Sequence, residues 1–367
     1  MVPVFSFMLG CGSDTTTTST SSTGSSGAGS VSHSIPNDAH FETSPDTFNL
    51  DGTITNSQAN ISVYIADRFG NGNVLTGTKV TFYAESGATE SSTATADAKG
   101  TATVIFRTQV PGPKSVAISS VANLFNGWRS QNLTEAQIMA ALQTDYAGVD
   151  TAYHPRNGWG SVLVTVKGEE GFTDTNGSGG YDAGESFTDT IAEPFTDYND
   201  NGQWDTGEYF VDLNANGTWD GAKNGIWDAS TVLSREIKLI MSGTPQNILF
   251  NRTAPYTDAA FTVSAGNPKK LKVLVADANF NPLLPGTTVV VSATAGVLSD
   301  LAINTSRGTS SATGTTKTYT FPKDYLTGPV EIEFSISSGG TLGNGTVTVT
   351  VTHKTVTYSK QLTYTVS

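Results

Sequence analysis

The sequence has a single cysteine, Cys11, in 367 residues, and only four histidines and four methionines. One cysteine cannot form an internal disulfide bond, so the folded domains must be stabilised in another way. Only 14% of the residues are charged, and Gly, Ser, Thr, Val and Ala dominate over the helix formers Leu, Glu and Lys. No apolar run is long enough for a membrane-spanning helix. The composition predicts an all-β protein with two or three domains.

Patterns typical of catalysis are also missing from the sequence. The histidines are scattered, at His33, His40, His154 and His353, and none belongs to a recognisable nucleophile motif. There is no glycine-rich phosphate loop. Carboxylate pairs are frequent between residues 169 and 228, but metal binding explains their spacing better than glycoside hydrolysis does. We therefore expect a protein that is not an enzyme.

The negative charge is concentrated in one segment. Residues 169–228 contain fourteen acidic residues and one basic residue, Lys223, so they carry the whole net charge of −13. Such a segment repels phosphate backbones, which argues against binding to nucleic acid. It needs solvent or cations to offset its self-repulsion.

The amino terminus is apolar up to Cys11 and then becomes rich in Ser, Thr and Gly. This order resembles a bacterial lipoprotein signal, in which the cysteine is lipidated. The resemblance implies a signal and lipidated cysteine at 1–11 and a disordered tether at 12–40, on a protein attached to the outer membrane at the cell surface, or secreted. The alternative is an apolar leader with an incidental cysteine.

Short alternating segments follow from about Phe41. Apolar and polar residues alternate at 61–65, and further strands are predicted at 80–83 and 101–107, with Gly, Asn and Asp between them. Strands at this spacing are typical of a β-sandwich. A capping box at Thr134 predicts one short helix, up to Leu142.

An internal repeat supports two copies of one domain. Residues 61–82 align with residues 271–291 when one turn residue is deleted, so that Ala66-Asp67 matches Ala276-Asp277. The repeated pattern resembles the bacterial immunoglobulin-like domains of the invasin and intimin group. The resemblance implies two Ig-like β-sandwiches, at 41–242 and 243–367, that act as spacers or adhesive modules. The first would carry an insert at 169–228.

Within this insert, two segments match the twelve-residue calcium loop of helix-loop-helix proteins. Oxygen-bearing groups stand at positions 1, 3, 5, 7, 9 and 12, and glycine stands at position 6, where the loop turns sharply. The predicted Ca²⁺ ligands of loop I (174–185) are Asp174, Asn176, Ser178, the carbonyl of Gly180, Asp182 and Glu185. Those of loop II (197–208) are Asp197, Asn199, Asn201, the carbonyl of Gln203, Asp205 and Glu208.

A third and a fourth loop are incomplete. Loop III has Asp212, Asn214, Asn216, the carbonyl of Thr218, and Asp220 as predicted ligands, but Lys223 stands at position 12. A fainter fourth loop would begin at Asp220 and use residues 224–228 as positions 5 to 9. These two loops could share Asp220, borrow ligands from their neighbours, or bind no ion.

The segments between the loops share a pattern. Glu-x-Phe-x-Asp occurs at 185–189, 193–197 and 208–212, which suggests extended connectors from one loop to the next. The loops resemble those of dockerins and thrombospondin type repeats in motif only. An aromatic residue at position 8, which is Tyr181, Trp204 or Trp219, is expected to pack against its neighbour.

These features predict a calcium-stabilised Ig-like lipoprotein at the cell surface, with a structural or adhesive role. Its expected partners are calcium, the membrane through its lipid, and a surface protein or glycan. The alternative is an extracellular carbohydrate- or protein-binding module of a larger complex, with the aromatic side chains of the insert as its binding surface.

Overall fold

The computed structural model describes residues 33–110, 112–113, 158–198, 202–250, 260–279, 281–303, 309–313, 316–320, 330–340 and 342–367. Cys11 and the helix predicted to end at Leu142 lie outside these residues. Within them the regular structure is β-strand, with two short 3-10 turns, Asp38–His40 and Asn73–Leu75, and no α-helix. The predicted all-β fold class is confirmed. In the described part of the chain no helix is long and apolar enough to cross a bilayer.

The first sandwich consists of two sheets around one apolar core. Its strands are β1 (Phe41–Pro45), β2 (Asn49–Asp51), β3 (Gln58–Ile65), β4 (Lys79–Ala84), β5 (Ala88–Thr89), β6 (Thr93–Thr95), β7 (Thr101–Arg107), β8 (Trp159–Gly168) and β9 (Thr231–Ser242). One sheet has the order β1-β3-β7-β5 and the other the order β2-β9-β8-β4-β6. β2 runs parallel to β9, whereas β8 and β9 form a long antiparallel pair.

The alternation in β3 shows why the sheets form. Ile61, Val63 and Ile65 are fully buried, while the residues between them face solvent. A strand with this period buries one face against the opposite sheet, where Val80 and Phe82 of β4 supply the partners. The strands predicted at 61–65, 80–83 and 101–107 lie within β3, β4 and β7.

The second sandwich repeats this arrangement around a separate core. Its strands are β10 (Pro245–Phe250), β11 (Phe261–Val263), β12 (Lys269–Asp277), β13 (Thr288–Ala293), β14 (Val297–Ile303), β15 (Thr309–Thr313), β16 (Thr316–Thr320), β17 (Val330–Ser337), β18 (Gly343–His353) and β19 (Val356–Val366). The sheets have the orders β10-β12-β17-β14 and β11-β19-β18-β13-β16-β15. Here too a short early strand, β11, runs parallel to a later one, β19.

The Ala-Asp turns of the sequence repeat adopt the same structure. In each, one oxygen of the aspartate, Asp67 or Asp277, accepts N–H bonds of 2.8–3.0 Å from the residues two and four positions further on. The other oxygen accepts from a backbone N–H 34 residues earlier, that of His33 or Gly243. Each aspartate therefore fixes the chain where it enters its sandwich.

Polar side chains form part of the contact between the two sandwiches. Lys354 of the β18–β19 turn donates to Asp51 at 2.5 Å, and the Trp159 indole donates to the Asn281 amide oxygen at 2.8 Å. Burial acts to raise the pKa of Asp51, but hydrogen bonds from Lys354 and Thr53 outweigh it and lower the pKa overall.

The residues just before Phe41 are ordered, although the sequence assigns residues 12–40 to the tether. Asn37 and Asp38 are buried. The Asn37 amide donates to Glu169 at 3.0 Å, and Arg235 pairs with Asp38 at 2.8 Å. These contacts with the end of β8 and with β9 extend the ordered part of the chain to before the predicted boundary at residue 40.

Candidate metal centre

The insert is an excursion between two adjacent strands. β8 ends at Gly168 and β9 begins at Thr231, and these two residues are paired across the sheet. Between them the described residues form no strand. Two isolated bridges join parts of the insert to each other, Phe172 with Phe187 and Phe195 with Phe210, and a third joins Glu169 to Asn37. A long segment that leaves and rejoins the sheet at one point needs internal stabilisation of its own.

Loop I closes around the carboxylate of Asp174. Its Oδ1 accepts the N–H groups of positions 4 and 5 at 2.7 and 3.1 Å, and its Oδ2 accepts that of position 6 at 2.8 Å. From the other side, the Asn176 amide donates to Asp182 at 2.8 Å. The side chain of Ser178 bonds to the N–H and carbonyl of Gly180. The predicted ligand positions 1, 3, 5, 7 and 9 are thus brought together.

The glutamate at position 12 braces loop I through the backbone. Glu185 is buried, and its two carboxylate oxygens accept the N–H groups of Thr175 at 2.7 Å and Asp182 at 3.0 Å. The carboxylate therefore links positions 2 and 9. The sequence predicts Glu185 as a ligand of the ion, and here both of its oxygens accept backbone N–H groups.

The described residues of loop II, 197–198 and 202–208, show the same frame. Asp197 accepts the N–H of Gly202 at 2.7 Å, and the closing Glu208 accepts those of Tyr198 and Asp205, both at 2.8 Å. Burial, followed by the nearby carboxylates of Asp197 and Asp205, raises the pKa of Glu208. The predicted ligands Asn199 and Asn201 lie outside the described residues, and Gln203 stands at position 7.

Loop III brings its acids and amides together in the same way. Asp212 accepts the N–H groups of Asn216 at 3.2 Å and Gly217 at 2.8 Å. The amides of Asn214 and Asn216 donate to Asp220 at 2.8–3.1 Å. Position 7, Thr218, donates its N–H to Asn216.

The closing acid of loop III comes from earlier in the chain. Glu193 accepts the N–H of Leu213, at position 2, at 3.1 Å, and that of Asp220, at position 9, at 3.0 Å. These are the two bonds that Glu185 makes in loop I. Glu193, from an earlier part of the chain, thus takes in loop III the place that Glu185 has in loop I. Lys223, which stands at position 12 in the sequence, is exposed.

Glycine at position 6 has the same backbone conformation in each loop. Gly179, Gly202 and Gly217 have φ values of 80°, 77° and 77°. Only glycine adopts this left-handed region without strain, so the sharp turn depends on it.

Connectors with the Glu-x-Phe-x-Asp pattern join the loops in pairs. Besides those at 185–189, 193–197 and 208–212, a further copy with the same spacing runs from Glu170 to Asp174. The bridge between Phe172 and Phe187 pairs the connectors 170–174 and 185–189, and that between Phe195 and Phe210 pairs 193–197 with 208–212. In the second pair, each connector carries the closing Glu of one loop and the opening Asp of the other.

Aromatic rings form a small core for each pair. Trp204 and Trp219, at position 8 of loops II and III, are stacked with their ring centroids 5.6 Å apart. Phe210 packs edge-on against Trp204, and Phe195 packs edge-on against Trp219. Each indole N–H bonds to the carbonyl of the glutamate that closes its loop, Glu208 or Glu193. Tyr181 of loop I stacks in the same way on Trp227, at 4.9 Å. The packing ties paired loops to each other.

Arg68 attaches the insert to the first sandwich. Its guanidinium forms a bidentate pair with Glu169 at 2.9 and 2.5 Å, donates to the loop I carbonyl of Gly179 at 2.6 Å, and lies over the Phe172 ring. In a second contact, the ring centroids of Tyr209 and of Tyr83 in β4 lie 5.6 Å apart. The insert therefore contacts the sandwich through loop I and through the 208–212 connector.

Comparisons with known proteins give no family. No protein-family model and no curated protein matches the sequence. Among solved structures, the D0-D1 domain of intimin aligns over 88% of this chain and 97% of its own length, at 12% identity and a TM-score of 0.21. The C-terminal domain of the Streptococcus agalactiae AgI/II polypeptide BspA aligns over 90% and 99%, at 6% identity and a TM-score of 0.28.

A third similar structure is that of a DUF4466 family protein from Parabacteroides merdae, with 12% identity and a TM-score of 0.24 over 32% of this chain. The alignment spans 43% of that protein's length. Scores this low carry no argument about the present chain. Its fold class rests on the strand pairing described above.

The donor set of the loops suits a hard cation. The insert contains no His or Cys, and it offers carboxylate, amide, hydroxyl and carbonyl oxygens. Among the described residues no group of three His, Cys, Asp or Glu side chains converges as a metal cluster. In loops I and III the oxygen donors are instead two carboxylates, at positions 1 and 9, together with amide or hydroxyl oxygens. Ca²⁺ accepts such mixed oxygen donors.

The glutamates also concentrate negative charge. Glu170, Glu185 and Glu193 are each at most 9% exposed, and none has a basic partner within the described ranges. Backbone N–H bonds offset part of the cost of burying a carboxylate, but an uncompensated charge still costs several kcal/mol. A bound cation would supply the missing positive charge.

Proposed function

We propose that this protein is a calcium-stabilised cell-surface protein, in which two Ig-like sandwiches serve as structural or adhesive modules. The observation that carries the proposal is the shared frame of loops I, II and III. Each wraps an aspartate with backbone N–H groups and is braced by a buried glutamate. Without a cation, this frame gathers carboxylates that repel one another.

In loop I, Asp174, Asn176, Ser178, Asp182 and the carbonyl of Gly180 would hold the ion. The corresponding positions would hold it in loops II and III. Calcium supplies positive charge and fixed oxygen geometry there. The buried glutamates then keep positions 2 and 9 together, so that the stacked aromatic pairs have a rigid base.

Loops of this kind in extracellular proteins bind calcium with dissociation constants of about 10⁻⁴ to 10⁻³ M. That range favours permanent occupancy outside the cell rather than signalling. We assign calcium the role of stiffening the insert. Arg68 would then hold the stiffened insert against the first sandwich.

Thermal unfolding and limited proteolysis, with calcium and with chelator, test the proposal. We expect chelator to lower the melting temperature and to open the insert to protease between Gly168 and Thr231. Magnesium at the same concentration is the control, since it demands stricter octahedral geometry. Identical melting and cleavage in calcium and in chelator would refute a stabilising role.

The proposed location follows from the sequence around Cys11, which lies outside the described residues. We propose lipidation at Cys11 and attachment to the outer membrane. Metabolic labelling with a fatty acid tests this, because a Cys11→Ser variant should lose the label and leave the membrane fraction.

The binding-module alternative has less support from the geometry. Trp204 and Trp219 stack on each other and use their indole N–H groups within the insert, so their rings serve packing first. Glycan or partner binding that disappears in Trp204→Ala while calcium stoichiometry stays intact would favour the alternative.

A further inference from the structure

A fourth loop, built from separate parts of the chain, completes the pair with loop I. In sequence it would begin at Asp220, but Asp220 already serves loop III as position 9. The N–H of Gly225, at position 6, instead donates to Asp189 at 2.7 Å. In loops I, II and III the position 6 N–H donates to the position 1 aspartate in the same way. Asp189 therefore takes position 1.

The closing glutamate of this loop is Glu170. Its Oε1 accepts the N–H of Thr190 at 2.6 Å and its Oε2 that of Asp228 at 2.9 Å. These residues correspond to positions 2 and 9, which Glu185 links in loop I. The Trp227 indole, at position 8, donates to the Glu170 carbonyl at 2.9 Å.

The remaining positions follow the other loops as well. Asn224, at position 5, accepts the N–H of position 7 at 2.7 Å and donates to Asp228 at 2.9 Å. Asn216 makes both kinds of bond in loop III. Gly225 has a φ of 73°, close to the other position 6 glycines.

An independent observation points to a ligand. Oδ1 of Asp189 has less than 1 Å² of accessible surface and no hydrogen-bond partner. A buried carboxylate oxygen without a partner is costly, because it has lost its water and gained nothing in return. Since Oδ2 of the same carboxylate is held by Gly225, the orphaned oxygen lies at the opening position of the loop.

We propose that Asp189, Asn224, the Ile226 carbonyl and Asp228 form a fourth, discontinuous calcium site, closed by Glu170. The inference rests on the proposed function of loops I to III. With Asp189 in place, the connectors 170–174 and 185–189 each carry the closing Glu of one loop and the opening Asp of the other, as in the second pair. The insert then consists of two matched pairs of sites.

This site has one side-chain ligand fewer than loop III. By sequence, position 3 would fall on Ala222, which has no side-chain oxygen. Fewer charged or polar ligands weaken calcium binding. The fourth site should therefore fill last in a titration.

Calcium stoichiometry of the full chain tests the proposal. Equilibrium dialysis with elemental analysis should give four ions for the unaltered protein and three for Asp189→Asn. Asp228→Asn should also give three, and the double variant three again, because both residues belong to one site. Asp200→Asn is the charge-matched control, since the calcium motif takes no ligand from position 4, and it should keep four.

Terbium luminescence provides a second readout. Trp227 should sensitise a terbium ion in the fourth site. Trp227→Phe should therefore lose part of the luminescence while it keeps the ion, whereas Asp189→Asn should lose that part of the luminescence and one bound ion.

The outcomes separate the two proposals. Three ions in the unaltered protein and in Asp189→Asn, with two in Asp174→Asn, would overturn the fourth site and leave the calcium role standing. No bound calcium in any of the proteins would overturn both.

Discussion

Replacing Glu193 by glutamine examines whether loop III depends on a residue that lies before it in the chain. Glu193 is 3% exposed and receives two backbone N–H bonds, from Leu213 and Asp220. Glutamine keeps the shape of the side chain but puts an NH₂ group against one of these donors. One bond is lost, and a buried N–H is left without an acceptor.

The expected loss is about 1–3 kcal/mol, the cost of an unsatisfied buried polar group. The change also removes a buried charge, which relieves repulsion when calcium is absent. The calcium-loaded protein should therefore lose stability and the calcium-free protein should change little. In calcium affinity the loss corresponds to about a 5- to 150-fold weakening of one site.

Isothermal titration calorimetry and thermal unfolding with and without calcium measure both effects. Glu185→Gln is the parallel variant in loop I, and Glu42→Gln, at an exposed position of β1, is the control. If Glu193→Gln bound calcium and melted like the unaltered protein while Glu185→Gln lost a site, the role given to Glu193 would be wrong.

Two further predictions concern the same loops. A Cβ on Gly221 would lie 2.1 Å from the backbone nitrogen of Glu193, so Gly221→Ala should cost about 1–3 kcal/mol through overpacking, measured by urea unfolding. Gly180→Ala, with nothing within 4 Å of its added Cβ, should be neutral, and equal effects of the two would contradict the clash. For Glu208, burial and then neighbouring carboxylates raise the folded-state pKa, so in chelator its contribution to stability should be largest below the ordinary glutamate pKa and fall as pH rises through the raised value. Urea unfolding of Glu208→Gln across that pH window should lack this decline, and parallel pH profiles of the two proteins would disprove the assignment.

The strands and the local part of each loop were predictable from sequence. The alternation at 61–65 predicts the one buried face of β3. The spacing of the oxygen-bearing side chains predicts a loop wrapped around position 1; these side chains are Asp174, Asn176, Ser178 and Asp182. Both patterns are local, because each side chain acts on neighbours within about twelve positions.

The closure of loop III was not predictable in the same way. Glu193 reaches Asp220 across 27 positions, and no spacing rule connects them. The Glu170–Asp228 bond spans 58 positions. The sequence signal that could have revealed these pairings is the Glu-x-Phe-x-Asp connector pattern. When the copy from Glu170 to Asp174 is included, each aspartate that opens a loop has a glutamate available to close it. The domain boundaries, Cys11 lipidation and the calcium ligands remain predictions.

A crystal structure of the full chain grown in calcium, with an anomalous difference map collected at long wavelength, tests the central claim most directly. We expect anomalous peaks inside loops I, II and III, each about 2.3–2.6 Å from the aspartate oxygens of positions 1 and 9 or their bridging waters. Featureless density at Asp174, Asp197 and Asp212, with these side chains bonded only to backbone N–H groups and water, would contradict it.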